Sequence, residues 1–200
     1  MQSNSITTEF GWKPTENTVA YFPFIDDQTD HAGNSVISAT GTKQTLWYRF
    51  SWNRVTISNF TETRFVCFWC KFMTNYSSNS WQTVSLWLWE LLYNFNHSSN
   101  EYRKTFSYQI NSSTYWHSSK YNTDLWTWYC LAYWYTWTHV IAYANGVEIQ
   151  RVATSLYNWS RWELLTSLDY TISELIAEKL TRSLEDYQKY FNKTKSKYWY

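Results

Sequence analysis

The residues of this chain that carry chemistry are few and scattered. The densest polar run is Phe24-Ile-Asp-Asp-Gln-Thr-Asp-His-Ala-Gly-Asn34, where Asp26, Asp27 and Asp30 stand among backbone carbonyls. Hard carboxylate and carbonyl oxygens are what Ca²⁺ takes, although the spacing is not that of an EF-hand loop. The other reading is a solvated loop in which the aspartates form turn hydrogen bonds, and both stand at this level. Cys67 and Cys70 lie three apart in a stretch that reads as a strand, so their side chains face opposite ways. A redox dithiol needs a turn entering a helix, and a zinc site needs a second pair. Buried, inert thiols are therefore expected at Cys67, Cys70 and Cys130. The histidines His31, His97, His117 and His139 are dispersed, and Glu148, Glu163, Asp169, Glu174 and Glu178 form no local carboxylate pair. No catalytic residue is assigned.

Sugar recognition uses different equipment, namely aromatic faces that stack on rings and amides or carboxylates that hydrogen-bond their hydroxyls. The loops Asn75-Tyr-Ser-Ser-Asn79 and Asn111-Ser-Ser-Thr-Tyr-Trp-His117 have that composition. Trp81, Trp116 and Asn111 are the candidate ligand contacts. Against them stands the usual fate of an aromatic residue in a β protein, which is cross-strand or core packing.

These residues need a framework, and composition bounds it. Two hundred residues with 44% hydrophobic content can bury one sizeable core without disulfide support. With 16% charged residues and a net charge of +1, the chain lacks the basic surplus that nucleic-acid binding demands. No stretch approaches the ~20 apolar residues of a membrane span, and Met1 to Phe10 lacks the apolar segment of a signal peptide. A soluble chain, or a piece of a larger protein, is expected.

Short runs of aromatic and β-branched residues alternate with Asn, Ser, Thr and Asp clusters, the pattern of a many-stranded β protein. Strands are expected at Thr18–Phe24, Arg54–Ser58, Arg64–Met73, Gln82–Leu92, Tyr102–Ile110, Trp128–Tyr135, His139–Ala144, Val147–Val152 and Ile172–Leu180. That many strands in one domain imply two packed sheets or a barrel. Asn145-Gly146 between two alternating segments predicts a hairpin, because both central positions of a type I′ turn need positive φ. Ser183, with acidic residues after it and Leu184, Tyr187 and Phe191 at helical spacing, predicts one short amphipathic helix. Residues 1–16 read as a lead-in, 17–192 as the domain and 193–200 as a tail or linker.

In order, the segments Thr18-Val-Ala-Tyr-Phe-Pro-Phe24, Asp30-His-Ala-Gly-Asn34, Phe68-Trp-Cys-Lys-Phe72, Trp128-Tyr-Cys-Leu-Ala-Tyr133, Thr138-His-Val-Ile-Ala-Tyr-Ala-Asn-Gly-Val147 and Ile172-Ser-Glu-Leu-Ile176 resemble a laminin-G-like domain of the concanavalin A-like superfamily. The resemblance covers roughly residues 17–192, and the block from Trp128 to Val147 is its most specific part. It implies an all-β, two-sheet antiparallel jelly-roll β-sandwich with one short C-terminal helix. It also implies a non-catalytic recognition module, bacterial and extracellular or on the cell surface, part of a larger multidomain protein. The partner would be a glycan or an extracellular protein, and the family's frequent Ca²⁺ near a sheet edge favours the Asp26, Asp27 and Asp30 loop. A structural or adhesive spacer is the alternative. A glycoside hydrolase of the same fold is a second, and it meets the objection that the Glu-x-Asp-x-x-Glu run of such relatives is missing.

One feature of composition stands apart: 15 Trp against 4 Gly, where glycine ordinarily makes up ~7% of a chain. Trp47, Trp52, Trp87, Trp89, Trp126, Trp137, Trp159, Trp162 and Trp199 sit in contexts where a turn or the family pattern favours glycine. At Tyr135-Thr-Trp-Thr138 the family places a glycine turn. The expectation is that these positions are glycines of a bacterium that reads UGA as glycine; the alternative is a genuinely tryptophan-rich protein. Trp81 and Trp116 are not among them.

Overall fold

Aromatic and β-branched side chains crowd a helix but fit the pleat of a sheet, and in this chain they build two sheets. The computed structural model describes residues 14–24, 28–33, 36–37, 41–44, 47–50, 55–58, 63–72, 82–88, 91–97, 106–110, 113–115, 126–153, 162–166, 170–180 and 182–198. Its strands are β1 (Thr18–Phe22), β2 (Val36–Ile37), β3 (Thr42–Lys43), β4 (Tyr48–Phe50), β5 (Val55–Ser58), β6 (Phe65–Phe72), β7 (Gln82–Leu88), β8 (Leu91–His97), β9 (Phe106–Ile110), β10 (Ser113–Tyr115), β11 (Trp128–Tyr135), β12 (His139–Ala144), β13 (Val147–Ala153), β14 (Trp162–Thr166) and β15 (Tyr170–Glu178). One helix, α1 (Leu184–Thr194), runs into a 3₁₀ turn at Lys195–Lys197.

The first sheet has the order β13-β12-β11-β6-β15-β4-β3, with β1 also paired to β15; the second has the order β10-β9-β8-β7-β14-β5-β2. Every pairing among the described strands is antiparallel. Strands distant in sequence lie side by side, as where Phe65 of β6 faces Glu178 of β15. The fold is thus an all-β, two-sheet jelly-roll sandwich with one short helix among the described residues.

β15 organises the first sheet. One of its edges pairs with β6, while the other is shared: β4 takes residues 170–172 and β1 takes 175–178. The changeover falls at Glu174, where φ is 39° and the register with β6 slips between Ser173 and Leu175. The Glu174 N–H donates to the Pro23 carbonyl at 3.3 Å. A bulge re-aims the side chain that carries it, and here it sends a carboxylate into the interior. On the opposite side of β1, Gly33 comes so close that a Cβ would lie 2.3 Å from the Val19 carbonyl oxygen. Only glycine fits that approach.

The central strands β6, β11 and β15 are buried on both faces. Tyr21, Phe65, Cys67, Trp69, Trp128, Cys130, Ala132, Ile141, Tyr143 and Ile176 share a core cluster with Tyr187, Tyr190 and Tyr198 of the C-terminal segment. The helix therefore forms a third layer on the first sheet. Its start follows the expected chemistry: Ser183 caps it, Asp186 completes a reciprocal capping box, and Glu185 and Asp186 stand in the first turn. Its inward edge is Tyr187, Tyr190 and Thr194, while Leu184, expected on the apolar stripe, is 37% exposed.

Several polar tips in this layer find polar partners. Tyr187 Oη donates to the Cys130 carbonyl at 2.8 Å and accepts the Gly146 N–H at 3.2 Å. Trp69 Nε1 donates to Thr194 Oγ1 at 3.2 Å. Beyond α1, Tyr198 stacks on Trp69 at 4.2 Å between centroids, and its hydroxyl meets Ser173 Oγ at 2.7 Å. Within residues 193–198, read in sequence as part of a polar tail, Thr194 and Tyr198 are buried while Lys193, Lys195 and Ser196 stay exposed. A second difference concerns Gln82–Leu92, expected as one strand. It supplies two, β7 and β8, with Leu88 opposite Leu91.

Candidate functional site

The carboxylates with the strongest claim to chemistry are Glu174 and Glu178, both fully buried on β15. Glu174 Oε1 accepts the Tyr21 hydroxyl at 3.1 Å and Oε2 accepts the Tyr190 hydroxyl at 2.9 Å. Burial, reinforced by the Glu174 carboxyl, pushes both phenols above their ordinary range. Glu178 is gripped by Arg182, whose Nη2 donates to Oε1 at 2.6 Å and whose Nε donates to Oε2. Those bonds raise the pKa of the arginine further. Thr18 Oγ1 adds a bond to Glu178 Oε1 at 3.4 Å. Both carboxylates thus join strands and helix to one another rather than standing open for acid/base work.

The Glu178–Arg182 pair forms the floor of a polar cleft of about 460 Å³ lined by Thr15, Glu16, Asn17, Glu178, Leu180, Arg182 and Asp186. Local bonds shape its rim. Thr15 and Thr18 close a turn through Thr18 N–H to Thr15 O at 2.9 Å and Thr15 N–H to Thr18 Oγ1 at 2.8 Å. The Lys179 N–H then donates to the Asn17 carbonyl at 2.8 Å, tying the lead-in segment to the end of β15. Asp186 is held below its usual carboxylate range by hydrogen bonds from Ser183, so it is anionic at neutral pH. Glu16 and Asn17 bring a carboxylate and an amide to the lining of this cleft.

Next to the cleft, at the same end of the sheet, the Arg64 N–H bonds the Glu178 carbonyl and the Arg64 carbonyl accepts the Tyr135 N–H, both at 2.8 Å. The Arg64 guanidinium lies 3.4 Å from the centre of the Trp137 ring, which is 57% exposed. The remaining aromatic ladder is internal. Phe191, Trp69, Tyr198, Trp128 and Trp47 follow one another in ring contact, and Lys71 Nζ sits 4.9 Å from both Trp47 and Trp128. Partial burial lowers the pKa of Lys71.

Of the residues singled out in sequence, Asp26, Asp27, Trp81, Asn111 and Trp116 lie outside the described residues. Asp30 is described, and its Oδ1 accepts the Tyr21 N–H at 2.8 Å and the Ala32 N–H at 2.9 Å. It anchors β1 and its own turn, the bond-forming role expected of aspartate in a loop. Among the described residues no group of three or more His, Cys, Asp or Glu is placed to hold a metal. The three cysteines are buried and free, with Cys67 Sγ 3.7 Å from Cys130 Sγ, and burial pushes the thiols of Cys67 and Cys70 up. Their burial follows expectation. The cleft was missed in sequence because its walls, residues 15–17 and 178–186, carry no motif.

No family model and no curated protein sequence matches the chain. Solved structures do match it in shape. One is from a study in which cell entry of botulinum neurotoxin type C depends on interaction with two ganglioside molecules: TM-score 0.64 at 11% identity, over 88% of this chain and 51% of that one. Another is Trypanosoma rangeli sialidase in complex with sialic acid, with TM-score 0.63 at 10% identity over 89% of this chain and 33% of the sialidase. A third is domain 4 of AbnA, an extracellular arabinanase from Geobacillus stearothermophilus, in complex with arabinotriose. It matches with TM-score 0.62 at 12% identity over 87% of this chain and 98% of that domain. The chain spans about half of the toxin chain and a third of the sialidase. At such identities the likeness establishes the β-sandwich fold. No helix among the described residues is long and apolar enough to cross a membrane.

Proposed function

We propose that this chain is a non-catalytic carbohydrate-recognition module of a bacterial extracellular or cell-surface protein. The observation that carries the reading is the match to domain 4 of AbnA, a domain solved with arabinotriose and covered over 98% of its length. In that case the match takes in nearly the whole of a separately solved domain. The cleft adds an amide, carboxylates and a fixed guanidinium around a space of about 460 Å³, within the range of small-ligand sites. The buried, fully engaged Glu174 and Glu178 also favour binding over hydrolysis.

Calcium belongs to the same reading. Because Asp30 Oδ1 already serves two backbone N–H groups, Asp26, Asp27 and loop carbonyls would supply most of the oxygen ligands. The test is retention of the purified chain on a glycan array and titration with arabinotriose, each run in Ca²⁺ and in EDTA. Binding that falls at least tenfold in Asn17→Ala with Glu16→Gln supports the module and the cleft together. Loss in EDTA alone supports calcium as part of the site. Absence of retention on every glycan overturns the proposal in favour of a spacer.

A further inference from the structure

A positive φ brings the Cβ of an L-residue against the neighbouring carbonyl oxygen, so glycine, and less often asparagine, occupies such positions. Among the described residues φ is positive at Phe24 (53°), Trp126 (63°), Trp137 (74°), Asn145 (49°), Gly146 (84°) and Glu174 (39°). Four of these have an evident reason. Asn145 and Gly146 are the preferred pair for a hairpin turn. Glu174 is locked by its tyrosine bonds, and Phe24 is buried against Phe22 and Tyr48. Trp126 and Trp137 share neither reason: their side chains are 62% and 57% exposed, so little burial offsets the strain.

The turn at Trp137 is more specific still. The Thr136 N–H donates to the His139 carbonyl at 2.9 Å and the two residues flank Trp137 and Thr138. Of the two central residues only Trp137 has positive φ, the pattern of a type II′ hairpin, whose first central position belongs to glycine. A ring in solvent under one arginine is weak compensation.

Geometry and composition converge here. Both residues stand among the tryptophans that the 15 Trp against 4 Gly imbalance marks as glycine positions, and the backbone angles form an independent observation. UGA connects the two amino acids, since different bacteria read it as tryptophan or as glycine. We propose that glycine, encoded by UGA, is the native residue at positions 126 and 137. At Trp47, half-buried against Trp128, and at Trp87 and Trp162, within β7 and β14, the backbone makes no such demand. Trp52, Trp89, Trp159 and Trp199 lie outside the described residues.

The consequence reaches the ligand surface. With glycine at 137, the Arg64 guanidinium loses the ring that covers it and opens toward the end of the sheet that holds the cleft. Position 137 then presents no ring at that end, and, if the cleft is the recognition site proposed above, the groups described there are mostly polar.

Two measurements test this. UGA codons at 126 and 137, with glycine in the corresponding peptides from the source bacterium by mass spectrometry, are the expected result; UGG at either position overturns the proposal. In recombinant protein, Trp137→Gly is expected to raise the melting temperature by about 2–4 °C, whereas Trp137→Ala, which keeps the Cβ, gains little. Equal melting temperatures for the glycine and alanine variants would overturn the left-handed requirement itself.

Discussion

The β12–β13 hairpin and the β11–β12 hairpin each reverse the chain across two central residues, yet they are secured in different ways. At Asn145-Gly146 both φ values are positive, and the residues are of the types that adopt them readily. Asn145 exchanges bonds with Cys130, its N–H donating to the carbonyl and its Oδ1 accepting the N–H, both at 2.9 Å. The helix then seals the turn: Tyr187 Oη accepts the Gly146 N–H, Gln188 Nε2 donates to the Gly146 carbonyl at 3.0 Å, and Phe191 packs where a Cβ would be. At Thr136-Trp137-Thr138 the turn is closed locally by Thr136 and His139. Among the described residues, Arg64 and Tyr135 lie against the ring of Trp137. Local chemistry and tertiary support agree in the first hairpin, whereas in the second the backbone asks for a residue that the written sequence does not show.

The contrast can be broken most forcefully from the helix side. Tyr187→Ala removes a fully buried ring and both of its bonds, and is expected to cost about 3–5 kcal/mol in denaturant unfolding. A cost under about 1 kcal/mol would mean that α1 does not support the hairpin. Gly146→Ala comes next, at about 1–3 kcal/mol, because φ is 84° and the new Cβ would lie 2.9 Å from Phe191 Cδ1. If Gly146→Ala and Trp137→Ala shifted stability by the same amount and sign, the two turns would not differ as described.

The smallest effect lies at the start of α1. Ser183→Ala removes the cap and is expected to cost about 1 kcal/mol. Hydrogen bonds from Ser183 hold Asp186 below its ordinary value of 3.8. A depressed carboxylate contributes stability that is present above the unfolded value and lost as pH falls through the folded one. Unfolding between neutral pH and pH below 3.8 should therefore show a loss in the parent chain that is weaker in Ser183→Ala. An identical pH dependence in the two proteins would remove the capping box from the account.

Where adjacent residues suffice, the structure follows the sequence closely. Trp128–Tyr135 and His139–Ala144 are strands over the expected residues, the Asn145-Gly146 turn forms, and Ser183 caps the helix. Cys67 and Cys70 lie on one strand as expected, where residues three apart must face opposite ways. Failures of the reading share another cause. Leu184 has the better hydrophobic pattern, but Tyr190 is buried because Glu174 offers its hydroxyl a partner. Tyr198 looked like part of a tail until Trp69 and Ser173 supplied a stacking face and a bond. Asp30 serves β1 through Tyr21, nine residues away, and no spacing rule announces that.

By itself, the sequence determined the many-stranded β class, the Asn-Gly hairpin and the capped helix, because each depends on local propensity, side-chain alternation or turn stereochemistry. It also singled out Trp126 and Trp137, through composition and turn context, as positions where glycine would be expected. The tertiary structure alone decided that α1 lies on the first sheet as a third layer, that β15 bulges at Glu174, and that residues 15–17 meet residues 178–186 in a cleft. Those features arise from contacts between segments up to 160 residues apart, such as Thr18 with Glu178. Such contacts are chosen by burial and hydrogen-bond satisfaction across the whole chain, and no window of neighbouring residues contains them.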